Sequence, residues 1–404
     1  MIKVAVLGYG TVGSGIVEVI NTNKDLIAKR VGEEIEVAYV LDLRDFPGDP
    51  VEKILVHDVD VIMNDPSVSI VAEAMGGVEP AYTFAKRAIE SGKSFCTSNK
   101  ELVAKHGAKL IAMAKEHNVN FLFEASVGGG IPIIRPLIHS ISPENVVEVS
   151  GILNGTTNYI LTKMTKEGLD FDSVLKDAQD KGFAERNPEA DIEGYDACRK
   201  IAILASLAFG AQVDFEDIHT EGISKITDKD IEYAKAMGMA IKLIGSAKNE
   251  EGKISAMVAP MLVGPESSLY AVNDVFNAIT VTGNTLSDVM FYGKGAGKLP
   301  TASAVVSDII EEAKNLNRNI RIVWEEEKIN LSAFEDINNR FFVRLSGNDK
   351  LNEDKVKEVF GDVKVVSCDL IKDEYAFTTK VLSEGVFADK TKEFDNVVNV
   401  IRIK

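Results

Sequence analysis

The chain has 404 residues, 45% hydrophobic and 26% charged, with a formal net charge of −17 at pH 7. This describes a globular protein of two or three domains, each long enough for its own core, and the acidic balance argues against nucleic acid or an anionic membrane as partner. No apolar run approaches the ~18 residues of a membrane span, and the first residues lack the design of a signal peptide. Cys96, Cys198 and Cys368 are scattered among apolar residues, as reduced thiols of a cytoplasmic protein would be, and the five histidines form no close-spaced set that suits zinc.

Ile2-Lys-Val-Ala-Val-Leu7 predicts a strand, and Gly8-Tyr9-Gly10-Thr11-Val12-Gly13 leads from it into a helical pattern over 14–20. In that setting the glycines serve a tight turn, the approach of backbone to a pyrophosphate, and close helix–strand packing, so the loop predicts a dinucleotide site. A second strand over 35–41 ends at Asp42-Leu-Arg44. The acid suits the ribose hydroxyl of NAD and the arginine the 2′-phosphate of NADP, so the choice of cofactor stays open. Strands are predicted over 59–63, 70–75, 94–96 and 119–123, with a helix over 80–91. Three of these strands end at Gly76-Gly77, at Thr97-Ser98-Asn99-Lys100, and at Glu124 followed by a glycine run. Such alternation predicts a doubly wound parallel sheet of Rossmann type, with ligands gathered at the C-terminal strand ends.

From about residue 131 the pattern becomes α+β. A strand over 146–153 runs into Asn154-Gly155-Thr156-Thr157 and a helix over 158–167, whose start is either capped by the threonines or shaped to take a small carboxylate. Residues 185–200 read E-R-N-P-E-A-D-I-E-G-Y-D-A-C-R-K, with Pro188 and Asp191 as helix-entry residues and Asp196 and Lys200 spaced to share a face. The following stretch, 201–209, is apolar on nearly every side, so the lysine should sit at the edge of the core. A partly enclosed lysine facing carboxylates is a candidate for proton transfer. Residues 254–263 and 271–282 alternate as strands do, with more apolar surface than one helix layer covers, which suggests a homodimer. Gly293-Lys-Gly-Ala-Gly297 before a long helix suggests a second close approach to ligand. After a polar link over 315–330, strands over 340–345, 363–371, 375–382 and 397–403 and helices near 354–360 and 387–394 give a ferredoxin-like βαββαβ order.

Almost the whole chain resembles the homoserine dehydrogenase family. The carriers are Gly8-x-Gly-x-x-Gly13, Ser98-Asn-Lys100, Glu124-Ala-Ser-Val-Gly-Gly-Gly, Gly151-Ile-Leu-Asn-Gly-Thr-Thr-Asn-Tyr159, Asp191-x-x-Gly-x-Asp-x-x-Arg-Lys200 and Gly293-x-Gly-Ala-Gly-x-x-Pro-Thr-Ala-Ser303. The resemblance implies a dinucleotide-binding domain over 1–130 plus 300–318, a substrate and dimerisation domain over 131–299, and an ACT-like domain over 331–404. It implies interconversion of L-homoserine and L-aspartate 4-semialdehyde with NAD or NADP, in threonine, methionine and isoleucine synthesis, by a cytoplasmic homodimer or homotetramer. Lys200 is implied as the acid/base, with Lys100 assisting beside substrate and nicotinamide. Gly155, Thr156, Thr157, Glu185, Asp191 and Asp196 are implied at the substrate. The cofactor is implied against Gly8, Tyr9, Gly10, Thr11, Val12, Gly13, Asp42, Arg44, Gly76, Ser98, Lys100, Gly297 and Thr301. A monovalent cation, sodium, is implied at Glu124, Val127, Gly129 and Ile131, largely on backbone oxygens.

Two rival readings have distinct signatures. An aldehyde-oxidising dehydrogenase would use Cys96 as nucleophile, and a silent nucleotide sensor would rest on the ACT-like tail. ACT domains that bind amino acids carry an acidic-x-Pro-Gly turn after their first strand. Residues 346–354 lack Pro-Gly, so strong feedback inhibition by threonine is not expected.

Overall fold

The computed structural model describes residues 1–347 and 350–404, which form two compact units. The first comprises Met1–Asn145, Ala202–Phe215 and Phe291–Ile329, and the second Val146–Ile201, Glu216–Met290 and Asn330–Lys404.

In the first unit, β1 (Ile2–Leu7), β2 (Ile35–Leu41), β3 (Leu55–Val56), β4 (Val68–Glu73), β5 (Ser94–Thr97) and β6 (Phe121–Leu122) form a sheet in the order 3-2-1-4-5-6. Every neighbouring pair is parallel. The order reverses between β1 and β4, which is the switch point where such sheets bind ligands. Apolar residues of β1 and β4 are buried throughout because helices cover both faces of the sheet. Helix Thr11–Thr22 packs on helix Lys298–Lys314 at Gly15, where a Cβ would lie 2.9 Å from that of Ala302. Ile16, Ile20, Val305 and Ile309 join Val4, Val6 and Ile70 in one core. Burying side chains of this size contributes about 1.5–3 kcal/mol each. The strand expected over 59–63 is instead the helix Val59–Met63, started by the Asp58 carboxylate accepting from the Asp60 N–H.

In the second unit one long sheet runs Phe276–Gly283, Val146–Ile152, Ala240–Glu250, Lys253–Val263, Val397–Ile403, Asn338–Ser346, Glu374–Thr378, Lys364–Val366. The last four are the expected βαββαβ strands in the order 4-1-3-2, all neighbours antiparallel. Val356 and Phe387, from the helices Lys350–Phe360 and Glu384–Thr391, pack on Phe341, Val343, Leu345, Tyr375 and Phe377. These strands extend the preceding sheet, since Val397–Ile403 pairs in parallel with Lys253–Val263 through Met261↔Arg402 and Leu262↔Ile403. Only Lys364–Val366 forms of the strand expected over 363–371, because the chain turns between Cys368 and Ile371. The strand expected over 271–282 starts at Phe276, after Asp274 takes a φ of 58°. In the turn singled out over 346–354, Asn348 and Asp349 lie outside the described residues. Among the described residues no helix is long and apolar enough to cross a membrane.

Candidate active site

The chain leaves strand Val146–Ile152 and reaches Asn154, in an extended conformation, which starts the helix Gly155–Glu167. The cap is this asparagine and not a threonine: its Oδ1 accepts from the Thr157 N–H at 2.9 Å. The Thr156 hydroxyl donates to the Phe183 carbonyl at 2.6 Å, and that of Thr157 to the Asn154 carbonyl at 3.2 Å. The Asn154 amide donates to Asp191 Oδ1 at 2.7 Å and to Asp196 Oδ2 at 2.8 Å. Asp196 Oδ2 also accepts from Lys200 Nζ at 2.7 Å, and Nζ donates to the Leu153 carbonyl at 2.9 Å. The expected lysine–carboxylate cluster is therefore present, with Asn154 as the link that the sequence reading did not single out.

Its backbone departs from expectation. In place of one helix there are two, Glu189–Ile192 and Tyr195–Phe209, broken at Gly194, whose φ of +83° favours glycine. Asp191 thus lies in one helix while Asp196 and Lys200 lie in the next. Asp196 is buried and Lys200 only 12% exposed. Burial, and then the Asp196 charge, raise the Asp191 carboxyl above the usual carboxylate range. Glu185 is exposed, its carbonyl accepting from Gln179, and among the described residues no hydrogen bond joins its carboxylate to this cluster.

In the first unit the glycine loop joins β1 to helix Thr11–Thr22 with Gly10 at the N-cap. A Cβ at Gly13 would overlap the Gly8 carbonyl, whereas one at Gly10 would meet nothing within 4 Å. The open side of Gly10 therefore faces space at a helix N-terminus, as pyrophosphate binding requires. A cleft of about 630 Å³ lies there, lined by Gly8, Gly10, Asp42, Arg44, Met75 and Pro80 among others. The Asp42 carboxylate accepts from the Tyr9 N–H at 2.8 Å and from Arg44 Nε and Nη2 at 3.0 and 2.9 Å. The Arg44 bond, against some desolvation and with the Tyr9 N–H, holds that carboxyl far below its ordinary range.

Glu73, which the sequence reading also passed over, ends β4 fully buried. It accepts from the Met75 and Gly76 N–H groups at 2.5 and 3.1 Å and from the Thr97 hydroxyl at 2.5 Å. Asn99 caps the helix Lys100–Glu116 and donates to the Gly77 carbonyl at 2.6 Å. Ser98 lies in this linked pair of strand ends, and Lys100 is the first residue of the helix. Gly297 is the N-cap of helix Lys298–Lys314, and its carbonyl accepts from the Thr301 N–H at 3.0 Å. Within the 293–297 run, Gly295 also packs closely on the chain itself, since a Cβ at Gly129 would overlap its carbonyl.

Glu124 is buried, and its carboxylate accepts from the N–H groups of Ile133, Ile134 and Arg135 at 2.7–2.9 Å. Val127 and Ile131 are buried beside it in sequence. Among the described residues no group of three or more His, Cys, Asp or Glu could hold a metal ion. Cys96 is fully buried in β5, and burial, followed by Glu312 and Asp308, pushes its thiol far up. This makes it a core residue and not a nucleophile.

A dinucleotide loop at the switch point of a 3-2-1-4-5-6 sheet, with a lysine–carboxylate cluster in the second unit, defines an NAD(P)-dependent oxidoreductase. Residues 8–124 match the family described as homoserine dehydrogenase, NAD binding domain, and residues 132–310 the family described as homoserine dehydrogenase. The chain belongs to the homoserine dehydrogenase family. It is 42% identical to the homoserine dehydrogenase of Bacillus subtilis over 89% of this chain and 85% of that one. A homoserine dehydrogenase structure from Thiobacillus denitrificans superposes with a TM-score of 0.90 at 33% identity, covering 100% of this chain and 98% of the other. A hyperthermophilic archaeal homoserine dehydrogenase in complex with NADPH gives 0.68 at 27% identity, over 80% of this chain and 99% of that one.

Proposed function

We propose that this homoserine dehydrogenase interconverts L-homoserine and L-aspartate 4-semialdehyde with Lys200 as the acid/base on the reacting oxygen. The observation that carries the assignment is the held ammonium: two of its three N–H donors go to Asp196 and the Leu153 carbonyl, and a third can be directed at a ligand oxygen. In the reductive direction that ammonium gives its proton to the carbonyl oxygen of the semialdehyde. In the oxidative direction the neutral amine takes the alcohol proton back. The dinucleotide, when bound, supplies or accepts the hydride at that carbon. Asp191, with Glu185, is assigned to the substrate ammonium, and the helix start at Gly155, Thr156 and Thr157 to its carboxylate. Because the Asp191 carboxyl is raised, homoserine binding should weaken on acidification sooner than for an ordinary aspartate.

Gly8 to Gly13, Gly76, Ser98, Gly297 and Thr301 are assigned to the cofactor, with Asp42 and Arg44 at the adenosine ribose and Lys100 at the nicotinamide side. The segment 124–131 suits a hard monovalent cation such as sodium only through main-chain oxygens, since the Glu124 carboxylate is already engaged by three N–H groups. The C-terminal βαββαβ is read as ACT-like, without strong threonine inhibition, in a cytoplasmic homodimer or larger; the buried free thiols fit that reducing compartment. The test is an assay of nicotinamide reduction with homoserine, run with NAD⁺ and NADP⁺ in parallel. Homoserine-dependent reduction is expected with at least one; none with either would overturn the assignment.

A further inference from the structure

The last strand of the chain reaches the backbone that carries the catalytic cluster. Arg402, 6% exposed, donates from Nε and Nη2 to Glu384 at 2.6 and 3.0 Å. It also donates from Nη1 and Nη2 to Glu221, both at 2.8 Å. Glu221 receives His219 Nε2 at 2.6 Å, and the His219 ring stacks on Phe334. Burial works against the Glu221 charge, but the bonds from His219 and Arg402 outweigh it and hold the carboxyl down at about 2.

The segment fixed in this way abuts the helix break. His219–Thr220 pairs with Lys253–Val263, and the Ile223 N–H donates to the Ile192 carbonyl at 2.7 Å. A Cβ at Gly222 would overlap the Ile192 carbonyl and the Glu193 backbone, and one at Gly194 would lie 3.1 Å from the Thr220 methyl. The break at residues 193–194 separates Asp191 from Asp196 and Lys200, so its position sets their spacing.

We infer that Arg402 and Glu221 are positioning residues for the active site: the C-terminal βαββαβ holds the 219–223 segment against the helix break and so fixes the Asp191–Asp196–Lys200 cluster. The inference rests on the catalytic reading of that cluster. It assigns the C-terminal strands a constitutive part in catalysis, whatever effector they bind. Packing of close-fitting backbone transmits a small shift at Glu221 to the carboxylates, where misplacement by about 1 Å is costly.

The test uses the full-length chain with Arg402→Met and, as a milder variant that leaves the Arg402–Glu384 pair in place, Glu221→Gln. At a temperature where each is folded by circular dichroism, the KM for homoserine should rise and kcat/KM fall about tenfold, with the KM for the dinucleotide unchanged. Amide exchange over 190–200 should accelerate, while exchange over 2–41 should not. Arg402→Lys should recover part of the loss. If Arg402→Met does not fold, Glu221→Gln alone decides. Wild-type homoserine kinetics in a folded variant would overturn the inference. If the wild type does not oxidise homoserine, the catalytic reading fails, and unchanged exchange over 190–200 would then sink the positioning claim separately.

Discussion

Lys200 is held by a side chain on its own helix and by a carbonyl from a neighbouring loop, so its substitution should remove chemistry and leave the fold intact. Lys200→Ala is expected to lower kcat about 10²–10⁴-fold with little change in dinucleotide KM; near-normal turnover in a steady-state assay would free Lys200 of its role. Arg44 bears on cofactor choice. It is 63% exposed at its side chain and already paired with Asp42, so a 2′-phosphate would have to share it. Arg44→Ala should raise the KM for NADP⁺ and leave or lower that for NAD⁺, read from the ratio of the two kcat/KM values. The reverse ratio would assign the ribose to Asp42 without help from Arg44. Both residues were legible in the sequence because their signals are local: a strand end for Arg44, and an i,i+4 acid before an apolar helix for Lys200. Asn154 and Glu73 were not, because each acquires its meaning from partners tens of residues away in the chain.

At the scale of elements, the sequence marked the glycine loop, the parallel alternation and the βαββαβ order, all of which repeat a period or obey a turn. It missed the break at Gly194 because Pro188 and Asp191 look like the entry to one helix, whereas Gly194 takes a positive φ and Gly222, distant in sequence, packs on residues 192–193. It misread 59–63, where five residues are too few for a period to declare itself and the Asp58 cap decides. Helix Lys298–Lys314 carries Glu312, fully buried, with no nitrogen or oxygen partner for its carboxyl among the described residues and the Cys96 thiol beside it. Burial, and then Asp308, raise this carboxyl well above its usual value. Its stabilising contribution is complete below the unfolded pKa, about 4.3, and is lost as pH rises through the raised folded value. Glu312→Gln should therefore unfold at a temperature that depends less on pH, with its advantage over the wild type growing as pH rises above the unfolded value. Parallel curves in thermal denaturation would show that Glu312 is ionised at no cost.

For the molecule as a whole, the C-terminal strands are built into the second unit. Asp230 is fully buried against Arg344, which also binds Glu374. A chain ending at Ile329 would strip Arg344 and Asn399 from Asp230, leaving it the Thr227 bonds, and would remove a neighbour from strand Lys253–Val263. Such a chain should aggregate or unfold well below the full protein; a cooperative transition at the wild-type temperature would contradict this. Threonine sensitivity is therefore better measured on the full chain than on a truncation. Light scattering at micromolar concentration should return at least twice the chain mass of 43.9 kDa, and a monomer would remove the dimer reading. The discontinuous layout of the first unit also bears on how the chain is made. Its nucleotide-binding sheet is complete by residue 122, yet the helix that covers it spans 298–314. During synthesis at about 5–20 residues per second, that sheet waits some ten to forty seconds with one face incomplete, because helix Thr11–Thr22 covers only the part of it over β1 and β2. Apolar strand residues stay exposed over that interval, so slowing translation should lower the yield of soluble enzyme and added holding chaperone should restore it.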